Sequence, residues 1–560
     1  MKRYLLLLII VAWSSSLFCS NAYEIRAVWL TTNWRLDWPS RIATDEKSRL
    51  QQQAELCRLL DKIRDANMNV VFFQARVRGE VLYESEYEPW SGFLTGRHGK
   101  SPGYDPLAFA VQECHKRGLQ CHAWLVCMPL GSEKQVRGFG EKTVVKKHPG
   151  WVTRHQGEYF LEPSKPEVAR YLGSIAAEIT CKYDIDGIHL DYIRYPDHVK
   201  GYPDAAFYKR SGTSLSLEDW RRENISRIVY SVYDRVKELK PWVKVSSSPL
   251  GRYRDLPGMK YYGWNAYGSV FQDAQRWLKE GKHDLLVPMM YYKEELFYPY
   301  LKDWVMNSNG RPIVSGLGVY RLDETDANWD LREIENQIVL GRGYGASGQS
   351  VYRAGNFVGD KKGVGRLLRE DLYNTPVLYP PMDWIDSEPV RQVALPEADL
   401  KAERLSWRPV EQAAYYSVYG RRTDRETGCD TLELLEPVVY GTSWDFPKER
   451  FFGNISAVAV SASNCYHKEG EISSEVSVRP KKCVYSHGLC EMFSDKGINV
   501  LSLEAFNQYE RISVTDLYGN TRFLDIHSGN PELPDLTPGF YIIRFITKNN
   551  QTENRYILVE

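Results

Sequence analysis

The stretch DGIHLDYIRYP, Asp186–Pro196, joins an alternating apolar run, a terminal aspartate and an aromatic and basic loop closed by proline. Successive side chains of a strand face opposite ways. Ile188 and Leu190 therefore share one face, and His189 and Asp191 the other. In a parallel barrel the first pair meets the surrounding helices and the second points to the interior. Asp191 then lies at the carboxyl end of the strand, the face on which barrel enzymes carry their chemistry.

Seven further segments read as strands: IRAVWL from Ile25, NVVFFQAR from Asn69, LQCHAWLV from Leu119, VKVSSS from Val243, LLVPMMYY from Leu285, PIVSGLGVY from Pro312 and GASGQSVY from Gly345. Between them fall helical patterns at Asp45–Ala66, Pro106–Arg117, Pro166–Lys182, Glu218–Lys240, Phe271–Glu280 and Trp329–Gly341, with a last one after Gly363. Eight such repeats predict an α/β fold, a (β/α)8 TIM-type barrel, over residues 23–375. The proline-rich stretch at 376–396 has no sustained period and reads as a linker. Short period-two strands follow, and two small all-β sandwich domains are expected at 397–480 and 481–560.

A chain of 560 residues exceeds what one core serves. Lys and Arg together number 72, as do Asp and Glu, which removes the basic excess that nucleic acid or anionic membranes attract. A weakly charged ligand fits better, and the 16 Trp and 37 Tyr suit stacking against sugar faces as well as packing in cores. Lys2 and Arg3, the apolar YLLLLIIVAW and the small residues Ser20 and Ala22 read as a secretory signal over 1–22. The expected location is the periplasm, the outer-membrane surface or the exterior, with no membrane span after signal removal. Cys19 raises lipid attachment, although Leu17 and Phe18 before it fit that signal poorly. The chain has ten cysteines, nine without Cys19, and no C-x-x-C, which argues against a structural zinc site or a dense disulfide framework. Pairs Cys483–Cys490 and Cys429–Cys465 suit single bridges, whereas Cys57, Cys114, Cys121, Cys127 and Cys181 read as buried apolar residues.

The parity that places Asp191 inward also places Gln74 and Arg76 inward on the second strand. On the third it groups His122, Trp124 and Val126. An ionised carboxylate at this rim suits attack on, or stabilisation of, an oxocarbenium centre, and a second, protonated carboxyl group is then needed across the bond. Glu80 is the first candidate for it, followed by Glu294 and Glu295; the alternative for Glu80 is an ion pair with Arg76 or Arg78. His189 reads as an orienter of the carboxylate. Gln74, Arg76, Trp124, Arg194, Tyr195, Tyr291 and Tyr320 are the expected substrate contacts. No cofactor or metal is expected: IHLD offers histidine and aspartate, but no H-x-H or H-E-x-x-H partner accompanies it. Ser246–Ser248 lack a nucleophile elbow and read as small rim residues, and GRGYGASG follows a helix, the reverse of a phosphate loop.

IRAVWLTTNWRLDWPS, the block from QARVRGEVLYESEYEPW to HAWL, DGIHLDYIRYP, GKHDLLVPMMYY and LREIENQIVLGRGYGASG resemble, in order, the signature blocks of the glycosyl-hydrolase-like family ten proteins. The resemblance covers about Glu24 to Leu372. It implies a secreted or envelope glycoside hydrolase acting on a polysaccharide or a peptidoglycan-type glycan through two carboxylates. By motif position it places Gln74, Arg76 and Glu80 in the second-strand block, Trp124 in the third, and Asp191, Arg194, Tyr195 and Pro196 in the fourth. Tyr192 stands where many relatives carry a second aspartate, and LVCMPL where they continue into NP. Residues 397–480 resemble a fibronectin type III module with Trp407 and Tyr416 in its core, and 481–560 a C-terminal sorting or attachment domain. Rival readings are a non-catalytic carbohydrate-binding barrel stacking glycans on Trp34, Trp90, Trp124, Tyr195, Tyr291 and Tyr320, a metal-dependent hydrolase of modified glycans, and a surface scaffold for protein partners.

Overall fold

The computed structural model describes residues 22–260, 262–399, 402–423, 430–445 and 455–478, and six strands between residues 490 and 559. The expected signal up to residue 21, with Cys19, and the cysteines 429 and 483 lie outside the described residues. Cys465 carries a free thiol, which removes the bridge to Cys429. Cys181, expected to be buried, is exposed in the last turn of its helix.

Eight parallel strands form the barrel: β1 (Ile25–Leu30), β2 (Val70–Val77), β3 (Gln120–Val126), β4 (Gly187–Asp191), β5 (Lys244–Ser247), β6 (Leu285–Leu286), β7 (Val314–Leu317) and β8 (Gly348–Val351). They pair in the order β6-β5-β4-β3-β2-β1-β8-β7. The seam between β6 and β7 is bridged at Leu286–Ile313 and Met289–Gly316. The sixth strand is shorter than LLVPMMYY suggests because Pro288 has no N–H to give the ladder.

The helices are α1 (Glu46–Asp65), α2 (Pro106–His115), α3 (Pro166–Lys182), α4 (Leu217–Leu239), α5 (Ala274–Lys279), α6 (Glu294–Met306), α7 (Leu331–Gly343) and α8 (Ala354–Val358). Their starts follow from local chemistry. Asp45 and Ser48 form a reciprocal capping box on α1, and Asp105 accepts from the Ala108 amide ahead of Pro106 on α2. α6 is absent from the helical patterns read above because Pro299 interrupts it.

Strand parity divides the core. Ile25, Ala27, Trp29, Val70, Phe72, Trp124 and Val126 fill the barrel, while Val28, Leu30, Val71, Phe73, Cys121, Ala123, Ile188 and Leu190 pack beneath the helices.

Residues 376–396 are not a loose tether. Leu378 pairs with Tyr23, the Tyr379 hydroxyl donates to the carbonyls of Asn69 (2.9 Å) and Gly118 (2.8 Å), and the Trp384 indole donates to Asp284 at 3.1 Å. Strands β9 (Glu397–Asp399), β10 (Arg404–Ser406), β11 (Tyr415–Thr423), β12 (Asp430–Val439), β13 (Ser443–Asp445), β14 (Ile455–Ser463) and β15 (Val476–Ser477) form two antiparallel sheets, ordered β9-β10-β13 and β12-β11-β14-β15. Buried Trp407 packs on Tyr416, ring centroids 5.3 Å apart. Tyr415 and Val438 extend the apolar cluster that fills the barrel. These sheets and the barrel form one unit, ending at Arg479.

The barrel floor holds a buried polar network. Lys244 reaches His467 and Gln120, and His467 also meets the Tyr415 hydroxyl at 3.1 Å. Burial lowers the Lys244 ammonium to about 8 against the pull of Asp186 and Asp284. The unfolded chain keeps this proton to about pH 10.4. Between about pH 8 and 10.4 the unfolded state thus binds more of it, and this group makes stability rise with pH. Lys244→Met is expected to flatten that rise by up to about 3 kcal/mol, at 1.36 kcal/mol per unit; urea unfolding of both proteins at pH 7.5 and 10 measures it, and equal rises would contradict the assignment.

The second unit begins at Pro480. Its described strands, β16 (Cys490–Ser494), β17 (Gly497–Leu501), β18 (Tyr509–Asp516), β19 (Thr521–Leu524), β20 (Gly539–Thr547) and β21 (Thr552–Val559), form one antiparallel sheet ordered β17-β16-β21-β20-β18-β19.

Candidate active site at the barrel mouth

Asp191 ends β4 and is 6% exposed. Its Oδ1 accepts the Tyr192 amide (2.7 Å) and the Ser248 hydroxyl (3.0 Å), and its Oδ2 accepts the Trp124 indole N–H at 3.1 Å. A carboxylate oxygen offers two lone-pair directions. Oδ1 is therefore saturated and Oδ2 retains one free position. Burial raises the carboxyl above its usual range, against the Arg194 charge and the three donors. Removing the Trp124 N–H in Trp124→Phe takes away a bond that favours the ionised form. Turnover is expected to fall about tenfold, the worth of one hydrogen bond to a charged group, and the limb of the pH–rate profile set by Asp191 to move to higher pH. An unmoved limb would detach Trp124 from Asp191 titration.

Aromatic residues face this carboxyl from the other strand ends. Tyr291, Tyr320 and Tyr352, which follow β6, β7 and β8, form a triad with centroids 5.6, 5.7 and 5.8 Å apart. Burial, followed by the neighbouring tyrosines and then by the charge of Asp191, raises the Tyr291 hydroxyl; for Tyr352 the Asp191 charge is the first cause after burial. Arg194 lies over the Tyr192 ring at 4.2 Å and binds Asp197 through Nε and Nη2 at 3.2 and 3.1 Å. Its Nη1 is buried and has no hydrogen-bond partner among the described residues. Exposed rings flank the mouth on the loops after β1 and β5, which are opposite in strand order: Trp34 on one side, Tyr262 and Trp264 on the other. Trp90 is half-buried and donates its indole N–H to Glu84 at 3.1 Å.

Several side chains read from the sequence as site residues have other surroundings. His189 is sealed beneath the rim. It stacks on Phe72 with centroids 4.1 Å apart, and its Nε2 accepts the Trp29 indole N–H at 3.1 Å. That donor leaves the proton on Nδ1, which faces the Ser246 hydroxyl at 2.8 Å. Burial, with the nearby His283, lowers the ring to about 3, so it is a neutral packing element, not an orienter of Asp191. Gln74 accepts the amides of Thr32 and Asn33, both at 2.8 Å, and thereby shapes the loop after β1. Tyr195 is fully buried between Tyr202 and Phe271, with its hydroxyl accepting from Asn224 at 3.4 Å.

Arg76 departs from strand parity because a register shift lies between Gln74 and Arg76 on β2, and a bulge redirects the side chain after it. The guanidinium donates two hydrogen bonds to Glu88 (2.6 and 2.8 Å) and reaches the carbonyls of Val126 and Cys127. The Cys127 amide in turn donates to the Asp191 carbonyl at 2.8 Å. Arg76 is thus a buried strut that fixes the end of β3 beside Asp191.

The three candidate acids differ in their surroundings. Glu80, on a two-residue strand antiparallel to β2, binds His98 Nδ1 at 2.6 Å and the Gly92 amide at 3.1 Å. Burial raises its carboxyl despite His98, and Glu80 holds the His98 ring above its usual value. Neither Arg76 nor Arg78 is its partner; Arg78 pairs with Glu158 at 3.3 Å. Glu294 and Glu295 are exposed in the first turn of α6, where carboxylates favour the positive helix end. Among the described residues, no group of three or more His, Cys, Asp or Glu is placed to hold a metal, and no helix is long and apolar enough to cross a membrane. Tyr352 is missing from the site residues expected from the sequence, and Ser248, expected as a small rim residue, is a hydrogen-bond partner of Asp191. The signal for each was strand parity, since both continue the inward-facing alternation one residue beyond the strand end.

Comparison with known proteins adds relatives to this geometry. The Glycosyl hydrolase-like 10 family model matches residues 24–308. The chain is 32% identical over 448 residues to Glycosyl hydrolase YngK of Bacillus subtilis (strain 168), covering 74% of this chain and 87% of that one. It is 31% identical over 330 residues to Glycosyl hydrolase DigH of Escherichia coli (strain K12), covering 54% and 75%. Among solved structures it is similar to the PgaB (BpsB) glycoside hydrolase domain from Bordetella bronchiseptica, with 16% identity, a TM-score of 0.45 and coverage of 62% of this chain and 98% of that one.

Proposed function

The chain belongs to the Glycosyl hydrolase-like 10 family, and we propose that it hydrolyses the O-glycosidic bonds of a polysaccharide or cell-wall glycan at the mouth of its barrel. The observation that carries this reading is the Asp191 carboxyl: buried at a strand end, raised by that burial, and left with one free position on Oδ2.

A carboxyl group that burial raises keeps its proton to a higher pH than a free one, which suits proton donation to the leaving glycosidic oxygen. The proton passes from Oδ2 to that oxygen as its bond to the anomeric carbon breaks, and Oδ1 stays anchored by Tyr192 and Ser248. The Arg194 charge and the Trp124 N–H then stabilise the carboxylate so formed. Tyr291, Tyr320 and Tyr352 give apolar faces against which a pyranose stacks. A water molecule attacks the anomeric carbon and gives its proton to the second carboxylate of this proposal, Glu80, the buried and raised carboxyl of the three candidates. The exposed rings of Trp34, Tyr262 and Trp264 on opposite sides of the mouth favour a chain crossing it over a single terminal sugar.

The contacts of Glu80 with His98 and Gly92 favour a second reading, in which the mouth binds glycans without cleaving them. One experiment separates the two: the protein and its Glu80→Gln variant are incubated with soluble polysaccharides and peptidoglycan glycan strands, and new reducing ends are measured. Hydrolysis predicts release by the unmodified chain and a loss of at least about 10²-fold in the variant. Retention of a glycan with no release by either protein would establish binding alone.

The N-terminal pattern at 1–22 supports placing the activity outside the cytoplasm. The C-terminal sheet is proposed to serve attachment or sorting, and the two sheets after the barrel to act as a fibronectin type III-like support.

A further inference from the structure

We propose that the catalytic face carries a second, separate sugar-binding pocket, which holds a residue of the glycan chain remote from the bond that is cut. A cavity of about 220 Å³ lies between the loops after β2 and β3 and the first turns of α3, with Tyr87, Lys147, His148, Trp151, Arg170 and Tyr171 in its lining. Both loops leave the carboxyl ends of their strands, and α3 starts from that same end. The pocket therefore belongs to the face that holds Asp191, but it shares no lining residue with the Asp191 site.

Its walls are aromatic. Trp151 lies 5.9 Å from the buried Tyr171 ring and Tyr87 lies 6.1 Å from it, centroid to centroid. His148 stacks on Trp151 at 3.7 Å with an interplanar angle of 11°, which covers one face of the half-exposed indole and holds its plane in place. Around these rings stand two cations, Lys147 and Arg170, and two carboxylates, Glu86 and Glu167. Flat apolar surface with donors and acceptors of both signs matches a pyranose, whose C–H face is apolar and whose edge is hydroxylated. An anion or a cation would instead call for one sign. The volume lies below the roughly 300 Å³ at which pockets for drug-sized ligands begin, so a single sugar ring is the fitting occupant.

The floor of the pocket is also tied to the reaction site. The Tyr171 hydroxyl donates to Glu88 at 2.8 Å, and Glu88 holds Arg76, the strut of the β3 end beside Asp191. A glycan chain seated in the pocket thus rests on the same buried pair that positions the rim.

The class of ligand rests on the glycan reading above, so the test separates the two. The full chain and its Trp151→Ala, Trp151→Phe and Asp191→Asn variants are run on native gels containing glycol chitin, carboxymethyl cellulose, dextran or solubilised peptidoglycan glycan strands. Release of reducing ends from the same polymers, and from a trisaccharide of each, is measured in parallel. At least one polymer is expected to retard the unmodified chain. Trp151→Ala should weaken that retardation about tenfold, Trp151→Phe should restore most of it, and Asp191→Asn should leave it in place. Trisaccharide cleavage by Trp151→Ala should stay within about twofold of the parent. Equal retardation of Trp151→Ala and the parent overturns the pocket, as does a failure of all polymers to retard the parent. Tryptophan-dependent retardation without any release of reducing ends upholds the pocket and removes the catalytic reading instead.

Discussion

Asp191→Asn is expected to lower glycan hydrolysis by about 10²–10⁴-fold, the range that a single proton-transferring side chain contributes. Asparagine preserves the shape and still offers an oxygen to Tyr192 and Ser248, but has no proton to give from the Oδ2 position. The loss should therefore fall on kcat, with KM little changed, and the protein should remain folded. A gain of stability at neutral pH is expected with it. Burial raises the Asp191 carboxyl, so the folded state holds this proton more tightly than the unfolded chain does. Stability drawn from the group is largest at low pH and is lost as pH rises through the raised value. Removing the titration removes that loss, in the manner of active sites that trade stability for function. A variant with unchanged turnover would exclude Asp191 from the reaction.

The second large effect concerns the Arg76–Glu88 pair, whose side chains are fully buried. Arg76→Met leaves Glu88 uncompensated except for the Tyr171 hydroxyl and frees the carbonyls of Val126 and Cys127. Breaking such a pair from one side costs about 3–5 kcal/mol, and a fall of about 5–10 °C in the midpoint of barrel unfolding is expected. The double variant Arg76→Met, Glu88→Gln should recover part of this, because no unpaired charge then remains buried. A midpoint within 1 °C of the parent for the single variant would show that the strut is dispensable.

Strand parity reached most of the barrel from the sequence because a two-residue period leaves little freedom where both faces are buried. Ile188 and Leu190 under the helices, and Phe72 and Trp124 inside the barrel, follow it directly. Where the backbone leaves that period, the reading loses its hold. The register shift ahead of Arg76 turns its side chain to Glu88, and the positive φ of 49° at Tyr192 redirects the loop after β4, so Tyr195 enters the core. His189 has the predicted orientation but sits one layer too deep to meet a ligand, a depth that periodicity does not encode. Ser248 and Tyr352 lie just beyond strand ends, where contact with Asp191 depends on how neighbouring strands are staggered. The stretch at 376–396 carries the prolines of a linker, yet Tyr379 and Met382 in it are buried against the barrel floor and the following sheets. Composition reported its lack of regular structure and could not report its packing.

The most direct test of the account is a crystal structure of the Asp191→Asn protein with a bound, uncleaved oligosaccharide of a glycan it is found to bind. A glycosidic oxygen within hydrogen-bond reach of residue 191, about 2.6–3.2 Å, with sugar rings against Tyr291, Tyr320 or Tyr352, is the predicted result. A glycan that occupies the mouth with no inter-sugar oxygen near residue 191, or that binds only away from the barrel mouth, would contradict it.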